Sequence, residues 1–158
     1  MKVELRAICE TWEIIHEKSD QRTSIRKIAP YQLLIKSPRA KKRASLESWL
    51  KKKARRHLGK WLQAIGDDLN ITYKNLSIRG QKRRWGSCSE NKEINLNYKL
   101  LFLPHNLVEH VLTHELCHIK ELNHSKQFWQ LVASIDKNYR VNRRLLHNAN
   151  QYLPKWLT

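Results

Sequence analysis

The sequence predicts an α+β fold in which a small antiparallel sheet packs on helices. Three observations predict it: β-like runs fill residues 1–36, a helical apolar stripe covers residues 39–66, and strand patterns after Ile71 give way to helical ones. Strands grouped ahead of helices are typical of α+β domains. A chain of 158 residues is long enough to bury one core, so we expect a single domain over residues 1–158.

The N-terminal strands are predicted from two short β-like runs, residues 12–16 and 31–35. The polar segment 18–23 between them has the composition of a turn. We therefore expect residues 1–36 to form strands arranged as a hairpin or ribbon.

Residues 39–66 are predicted to form one long basic amphipathic helix, with Pro38 at its entry and Gly66 at its end. The apolar residues recur at steps of three and four and form one stripe: Leu46, Trp49, Leu50, Ala54, Leu58, Trp61, Leu62 and Ile65. Residues 36–60 contain eleven Lys and Arg but a single acid, Glu47. This charge is either a solvated helix face or an electrostatic footprint for phosphates.

The rest of the chain, residues 71–158, is predicted to contain strands and then three helices. Residues 71–79 are β-like, and residues 85–89 and 93–97 are expected to pair as a hairpin across a polar turn. Pro104 has the fixed φ that suits a first helical position. The predicted helices cover residues 104–122, 125–135 and 139–152.

The composition restricts the class of protein. Hydrophobic residues make up 41% and charged residues 28%, as in ordinary globular proteins. Neither a signal-peptide pattern nor an apolar run of membrane-spanning length is present. The three cysteines, Cys9, Cys88 and Cys117, are an odd number at unrelated spacings, which favours reduced thiols. We expect a cytoplasmic protein that does not enter a membrane.

The net charge is the unusual number in this composition. With 31 Lys and Arg against 14 Asp and Glu, the formal charge is +17. Such a balance indicates a polyanionic partner, which could be a nucleic acid, the ribosome, a nucleotide or an acidic protein substrate. The charge alone does not choose among these partners.

The motif H-E-x-x-H stands at residues 114–118, inside a predicted helix. Residues four apart share a helix face, with Cβ atoms about 5–6 Å apart, so His114 and His118 can bind one zinc ion. Glu115 lies beside that ion, where it can act as general base towards a zinc-bound water. These side chains fall on the inward, mainly apolar side of the helix, where a metal offsets the cost of burying them.

A catalytic zinc needs three protein ligands and an open position, and His124 is the candidate for the third. Asn123 can end the helix in a left-handed conformation and Ser125 can cap the next helix, so that the chain reverses at His124. Glu121 lies on the face of His114 and is expected to hold an imidazole in its tautomer.

Few other side chains compete for the metal. Cys117 projects away from the histidines and is predicted to pack in the core. Apart from Glu121, Asp136 is the single acid downstream of His118. The remaining histidines are predicted to be surface or hydrogen-bonded residues: His16, His57, His105, His110 and His147.

The spacing of the three histidines also occurs in metzincins, but two features disagree. Glu121 stands where metzincins need a glycine, and the single methionine, Met1, leaves no Met-turn. Instead, residues 75–135 resemble the YgjP-like metallopeptidase domain family, relatives of the SprT-like zincins. The matching motifs are Arg84-Trp85-Gly86-Ser87-Cys88, Ile94-Asn95-Leu96-Asn97, Leu103-Pro104, the H-E-x-x-H helix, Asn123-His124-Ser125 and Phe128-Trp129.

The resemblance implies a zincin-like fold with a catalytic core over residues 71–158. It also implies zinc held by the three histidines, Glu115 as base, and metallopeptidase activity; some members of the family are described as nucleotide pyrophosphatases. Phe128 and Trp129 are expected to pack the second helix behind the ligand loop.

The strand that contains Gly86 allows two interpretations. It either packs Trp85 on the core or borders the cleft, with Gly86 leaving room for a substrate backbone. In the second case, Arg83 or Arg84 can stabilise an oxyanion or hold a phosphate.

Three functions follow from these features. The first is zinc-dependent hydrolysis of a peptide or protein substrate. The second, indicated by the charge of +17 and by the group Arg79, Lys82, Arg83 and Arg84, is hydrolysis of a nucleoside triphosphate to release pyrophosphate. The third is a nucleic-acid-binding module whose zinc is structural, although such a site needs no base like Glu115.

Overall fold

A computed structural model describes residues 1–158 and shows a mixed four-stranded sheet at the N-terminus. Its strands are β1 (Lys2–Leu5), β2 (Glu10–Lys18), β3 (Ser24–Ala29) and β4 (Gln32–Ser37), in the order β1-β2-β4-β3. The β2 and β4 strands are parallel, while the other pairs are antiparallel.

The predicted hairpin between residues 12–16 and 31–35 is wrong, because these runs are parallel neighbours. The physical reason is the additional strand β3, which lies between them in sequence and reverses the chain once more. The hairpin is formed by β3 and β4 instead, with Tyr31 in a left-handed conformation (φ 58°) at its turn.

The long basic helix, α1, spans Lys42–Leu69 and follows a short 3₁₀ turn at Arg39–Lys41. Its buried face confirms the predicted stripe, since Leu46, Leu50, Ala54, Leu58 and Leu62 are all buried. The helix therefore starts and ends about three residues later than the predicted range 39–66.

Gly66 was predicted to end the long helix, but it lies inside α1. It lies within the last turns of the helix, where an added Cβ would stand 2.8 Å from the carbonyl oxygen of Ile71. The helix ends at Asn70, which is left-handed with φ 52°. Gly66 is thus required by the close approach of the returning chain.

A second, three-stranded sheet follows, with strands β5 (Asn75–Arg79), β6 (Gly86–Cys88) and β7 (Glu93–Asn97) in the order β5-β7-β6. The predicted hairpin of β6 and β7 is confirmed, and it is antiparallel. The β5 and β7 strands are parallel, so both sheets are mixed and the expectation of an antiparallel sheet is corrected. Since β6 lies at the end of this order, one of its edges has no partner strand.

Three helices complete the chain: α2 (His105–Cys117), α3 (Lys126–Ile135) and α4 (Tyr139–His147). The predicted α+β class is confirmed. The α2 helix ends before the expected Leu122, because Lys120 and Glu121 both donate their N–H groups to the Cys117 carbonyl in a tight turn. After α4 the chain continues as a separate 3₁₀ turn at Ala149–Tyr152.

One cluster of 29 buried apolar residues joins both sheets to α1 and α2. A smaller cluster of Cys117, Phe128 and Val132 fixes α3 on α2, which confirms that Cys117 packs in the interior. Burial raises the pKa of the Cys117 thiol to about 12. None of the helices is long and apolar enough to cross a membrane.

We predict opposite effects for two glycine substitutions in α1. Gly66→Ala should lower the free energy of unfolding by roughly 1–3 kcal/mol, because the new methyl group meets the Ile71 carbonyl oxygen at 2.8 Å. Gly59→Ala is the matched control, since its Cβ would make ordinary contact with Leu76 at 3.4 Å. It should stabilise the protein by up to about 1 kcal/mol. Urea denaturation of both variants measures the difference, and equal stabilities would contradict this account of Gly66.

Candidate metal centre

The structure brings together the side chains of His114, His118 and His124, here called the histidine trio. His114 and His118 lie one helical turn apart on α2, and His124 returns to them from the loop before α3. The three Nε2 atoms are each 3.1 Å from the other two. One helix and one chain reversal thus aim three imidazole nitrogens at a common point.

The chemistry of these three nitrogens fits a metal ion. Each corner of a triangle with sides of 3.1 Å lies roughly 1.8 Å from its centre (the side divided by √3), so one point can lie about 2.0–2.1 Å from all three, the usual Zn–N distance. The His118 Nδ1–H donates to the Glu121 carbonyl at 3.0 Å, which leaves a lone pair on Nε2 in the neutral ring. Three converging donors of this kind can hold a metal ion.

The surroundings of His114 and His118 favour the uncharged form of both rings. Burial, together with the neighbouring His118 and His124, lowers the pKa of His114 to about 3. Burial also lowers the pKa of His118. Neutral imidazoles present free lone pairs, which is the form that binds a metal.

The chain reversal that places His124 differs from the predicted one. Asn123 is not left-handed, because α2 has already ended at Cys117 and the turn is closed by hydrogen bonds to the Cys117 carbonyl. The contact expected of Glu121 is made by its backbone carbonyl, not by its carboxylate. The predicted cap at Ser125 is confirmed, since its Oγ accepts the Phe128 N–H at 3.2 Å.

Aromatic rings support the trio from α3. Phe128 stacks on His118 with ring centroids 4.3 Å apart, and its ring lies 4.9 Å from His114 and 5.0 Å from His124. Trp129 stacks on His124 at 5.7 Å. Both aromatic residues therefore lie behind the ligand loop and restrict how the imidazoles can turn.

Glu115 lies next to the trio and is only 5% exposed. Burial raises the pKa of this carboxyl to about 8, although the positive charge of Arg84 opposes the shift. Gly86 on β6 faces it, and an added Cβ there would stand 2.8 Å from Glu115 Oε1 and 2.9 Å from its Cγ. One of the two interpretations of this strand left the space at Gly86 to a substrate backbone; in the structure the Glu115 side chain fills it.

A cavity of about 510 Å³ opens beside Glu115 and His114. Arg83, Arg84 and Gly86 all line it, as the cleft interpretation of this strand requires. Trp85 lines the cavity and also packs against the core, so the two interpretations of the strand hold together.

One buried pair beside the cavity was missed at the level of sequence. His110, only 3% exposed, has its Nδ1 2.6 Å from Asp136 Oδ2, and Asp136 also accepts hydrogen bonds from Asn142 and the Asn138 N–H. His110 precedes His114 by one helical turn, a spacing that signals a shared face. Asp136 lies 26 residues away and carried no such signal. Asp136 is thus a hydrogen-bond partner of His110 and no member of the metal-ligand group.

We predict that Asp136→Ala lowers the free energy of unfolding by roughly 1–3 kcal/mol, because His110 Nδ1 and Asn142 Nδ2 lose a buried acceptor. Asp68→Ala, at an exposed position of α1, is the control and should change stability by less than about 0.5 kcal/mol. Thermal and urea denaturation measure both. Equal stability of the two variants would show that the pair contributes nothing.

Comparison with known proteins identifies relatives of this chain. The family model of the YgjP-like metallopeptidase domain matches residues 7–149, whereas no curated protein matches. Among solved structures, the chain is similar to the metallopeptidase zymogen abylysin of Pyrococcus abyssi, at 23% identity and a TM-score of 0.52, over 59% of this chain and 94% of that one. It is also similar to the zymogen jannalysin of Methanocaldococcus jannaschii, at 24% identity and a TM-score of 0.47, over 58% and 93%.

The abylysin zymogen shares the fold with the part of the chain that it covers. The family model covers nearly the whole sequence, from the N-terminal sheet to the end of α4. The chain therefore belongs to the YgjP-like metallopeptidase domain family.

Proposed function

We propose that the protein is a zinc-dependent peptidase that hydrolyses amide bonds in peptide or protein substrates. The histidine trio holds the zinc, and Glu115 is the general base. The observation that carries the proposal is the convergence of three Nε2 atoms, 3.1 Å apart, beside a buried carboxyl group and an open cavity.

The donor set supports zinc in a catalytic setting. Three neutral imidazoles are a usual ligand set for catalytic zinc and leave a position open to substrate. A zinc ion bound there would supply Lewis acidity towards a carbonyl oxygen and lower the pKa of water. The remaining steps depend on side chains of this chain.

Glu115 takes the proton of the attacking water and later delivers it to the leaving amine. Its burial favours the protonated form, so the carboxylate accepts a proton readily. The positive charge of the nearby Arg84 lowers this pKa and so favours the carboxylate, the form that acts as a base. Gly86 gives this carboxyl the space to remain between β6 and α2.

The substrate would lie along β6. One edge of this strand has no partner, and Arg84, Trp85 and Gly86 at its start line the cavity. An extended peptide can add to such an edge through main-chain hydrogen bonds. Arg83 or Arg84 would then stand near the developing oxyanion.

The basic lining of the cavity favours nucleoside-triphosphate hydrolysis as a second candidate function. We rank it below peptide hydrolysis, because phosphate chemistry more often uses magnesium held by carboxylates than zinc held by histidines. A purely structural zinc in a nucleic-acid-binding module suits the site less well. Structural zinc sites are closed by four protein ligands, whereas the trio supplies three beside an open cavity.

We predict that Glu115→Gln retains one zinc per chain but loses turnover by roughly 10²–10⁴-fold, because it removes the base and keeps the shape. His118→Ala should lose both zinc and turnover. Glu109→Gln, at an exposed position of the same helix, is the control and should keep both. Elemental analysis measures zinc, and hydrolysis of casein peptides measures turnover. Undiminished turnover in Glu115→Gln would refute the role assigned to this residue.

Gly86→Ala should also keep its zinc while turnover falls by roughly 10²-fold, because the new methyl group displaces the Glu115 carboxyl by about 1 Å. Ser87→Ala changes the next residue of the same strand and should stay near wild-type activity. If the two variants were equally active, the contact between Gly86 and Glu115 would be irrelevant to catalysis.

A further inference from the structure

The charged residues that line the cavity beside the metal centre are nearly all positive. Five of its lining residues are basic: Lys82, Arg83, Arg84, Lys99 and Arg143. Its single acidic residue is Glu115, the proposed base. We call this cavity the basic cleft.

None of these five cations forms an ion pair within the protein. Four Lys and Arg side chains elsewhere do pair with acids, among them Lys53 with Glu10 at 2.6 Å and Lys36 with Glu17 at 2.8 Å. Between Leu122 and Thr158 the single acid is Asp136, which His110 and Asn142 occupy. Clustered like charges repel each other, so the basic cleft favours a ligand that supplies negative charge.

Arg143 is the cation that the structure prepares best for such a ligand. Its guanidinium lies 4.5 Å from the ring centroid of Trp129, which itself stacks on the proposed ligand His124 at 5.7 Å. The Arg143 guanidinium makes no hydrogen bond to the protein, so its N–H groups remain free for a ligand. A guanidinium whose face packs on an aromatic ring, and whose N–H groups have no partner, is suited to bidentate binding of a carboxylate.

The positive surface continues past the metal centre. A second cavity of about 860 Å³ shares Trp129, Arg143 and His147 with the basic cleft. It adds Lys126, Arg140 and Arg144 and contains no acidic residue. The surface therefore offers cations to more than one acidic group.

The unpaired edge of β6 indicates what kind of molecule carries those groups. This edge offers main-chain donors and acceptors, and its first residue, Gly86, lines the basic cleft. A peptide backbone can pair along such an edge, whereas a nucleotide lacks the repeating N–H and C=O groups of a main chain. The combination of a strand edge and unpaired guanidinium groups favours an acidic peptide.

We propose that the basic cleft selects peptides with acidic side chains close to the scissile bond, and that Arg143 binds their carboxylates. The inference rests on the proposed peptidase function and names its substrate class. Lys82, which also lines the basic cleft, contributes positive charge without a supporting aromatic ring.

Binding to the zinc-loaded Glu115→Gln protein tests the inference without turnover. The probe is a short fluorescein-labelled peptide with two central glutamates, compared with the same peptide carrying glutamines, at one fixed salt concentration. Fluorescence anisotropy should show the glutamate peptide binding about tenfold more tightly. Adding Arg143→Gln or Lys82→Gln should reduce this preference, whereas Arg22→Gln, which removes one exposed charge between β2 and β3, should preserve it.

Equal binding of the two peptides would overturn the inference, as would a preference that Arg143→Gln does not reduce. Tighter, Arg143-dependent binding of a nucleoside triphosphate or an oligonucleotide would also overturn it and assign the basic cleft to phosphates. Cleavage of both peptides at equal rates by wild type would overturn the acidic preference and leave the peptidase function intact. Failure to cleave either peptide, with glutamate-specific binding retained, would contradict the peptidase function and support the carboxylate site.

Discussion

The convergence of three imidazole nitrogens constrains most of what surrounds it. Two of them need only the helical spacing of His114 and His118 on α2, but the third needs the chain to turn back within seven residues. That turn is fixed by local bonds: N–H groups bonded to the Cys117 carbonyl, the His118 ring bonded to the Glu121 carbonyl, and the Ser125 cap of α3. The hydrogen bonds of the loop thus direct the His124 side chain towards His114 and His118.

The packing behind the trio holds the three imidazole rings in fixed orientations. Phe128 contacts all three imidazoles, and the small cluster of Cys117, Phe128 and Val132 anchors α3 on α2. On the other side, β6 approaches α2 so closely at position 86 that any side chain larger than that of glycine would displace the Glu115 carboxyl. A strand edge, a buried acid and the trio are therefore held in one arrangement, which opens on a basic cleft.

Sequence reasoning succeeded where periodicity decides the structure. The apolar stripe of α1, the hairpin of β6 and β7, and the shared face of His114, Glu115 and His118 all follow from spacings of two, three or four residues. It failed where the structure depends on contacts between distant segments. The parallel pairing of β2 and β4 follows from an unrecognised strand, and the bond between His110 and Asp136 joins α2 to residues beyond α3.

The glycines show the same limit. Glycine is common at helix ends, which is why Gly66 was predicted to end the helix. In the structure the lack of a side chain at Gly66 makes room for the Ile71 carbonyl, a contact that the local pattern does not reveal. Gly86 was placed at the cleft from its motif, but the group that fills its space belongs to α2. In both cases the role of the glycine depends on a tertiary contact that the local sequence pattern does not reveal.

The most direct test of the account is zinc affinity in three forms of the protein: wild type, His124→Ala and His147→Ala. His147 lines the basic cleft but lies outside the trio, so its removal controls for general loss of histidine. We predict one zinc per chain and unchanged affinity for wild type and His147→Ala, with affinity reduced by at least about 10²-fold in His124→Ala. Equal zinc affinity in all three forms would contradict the claim that the three imidazoles share one ion.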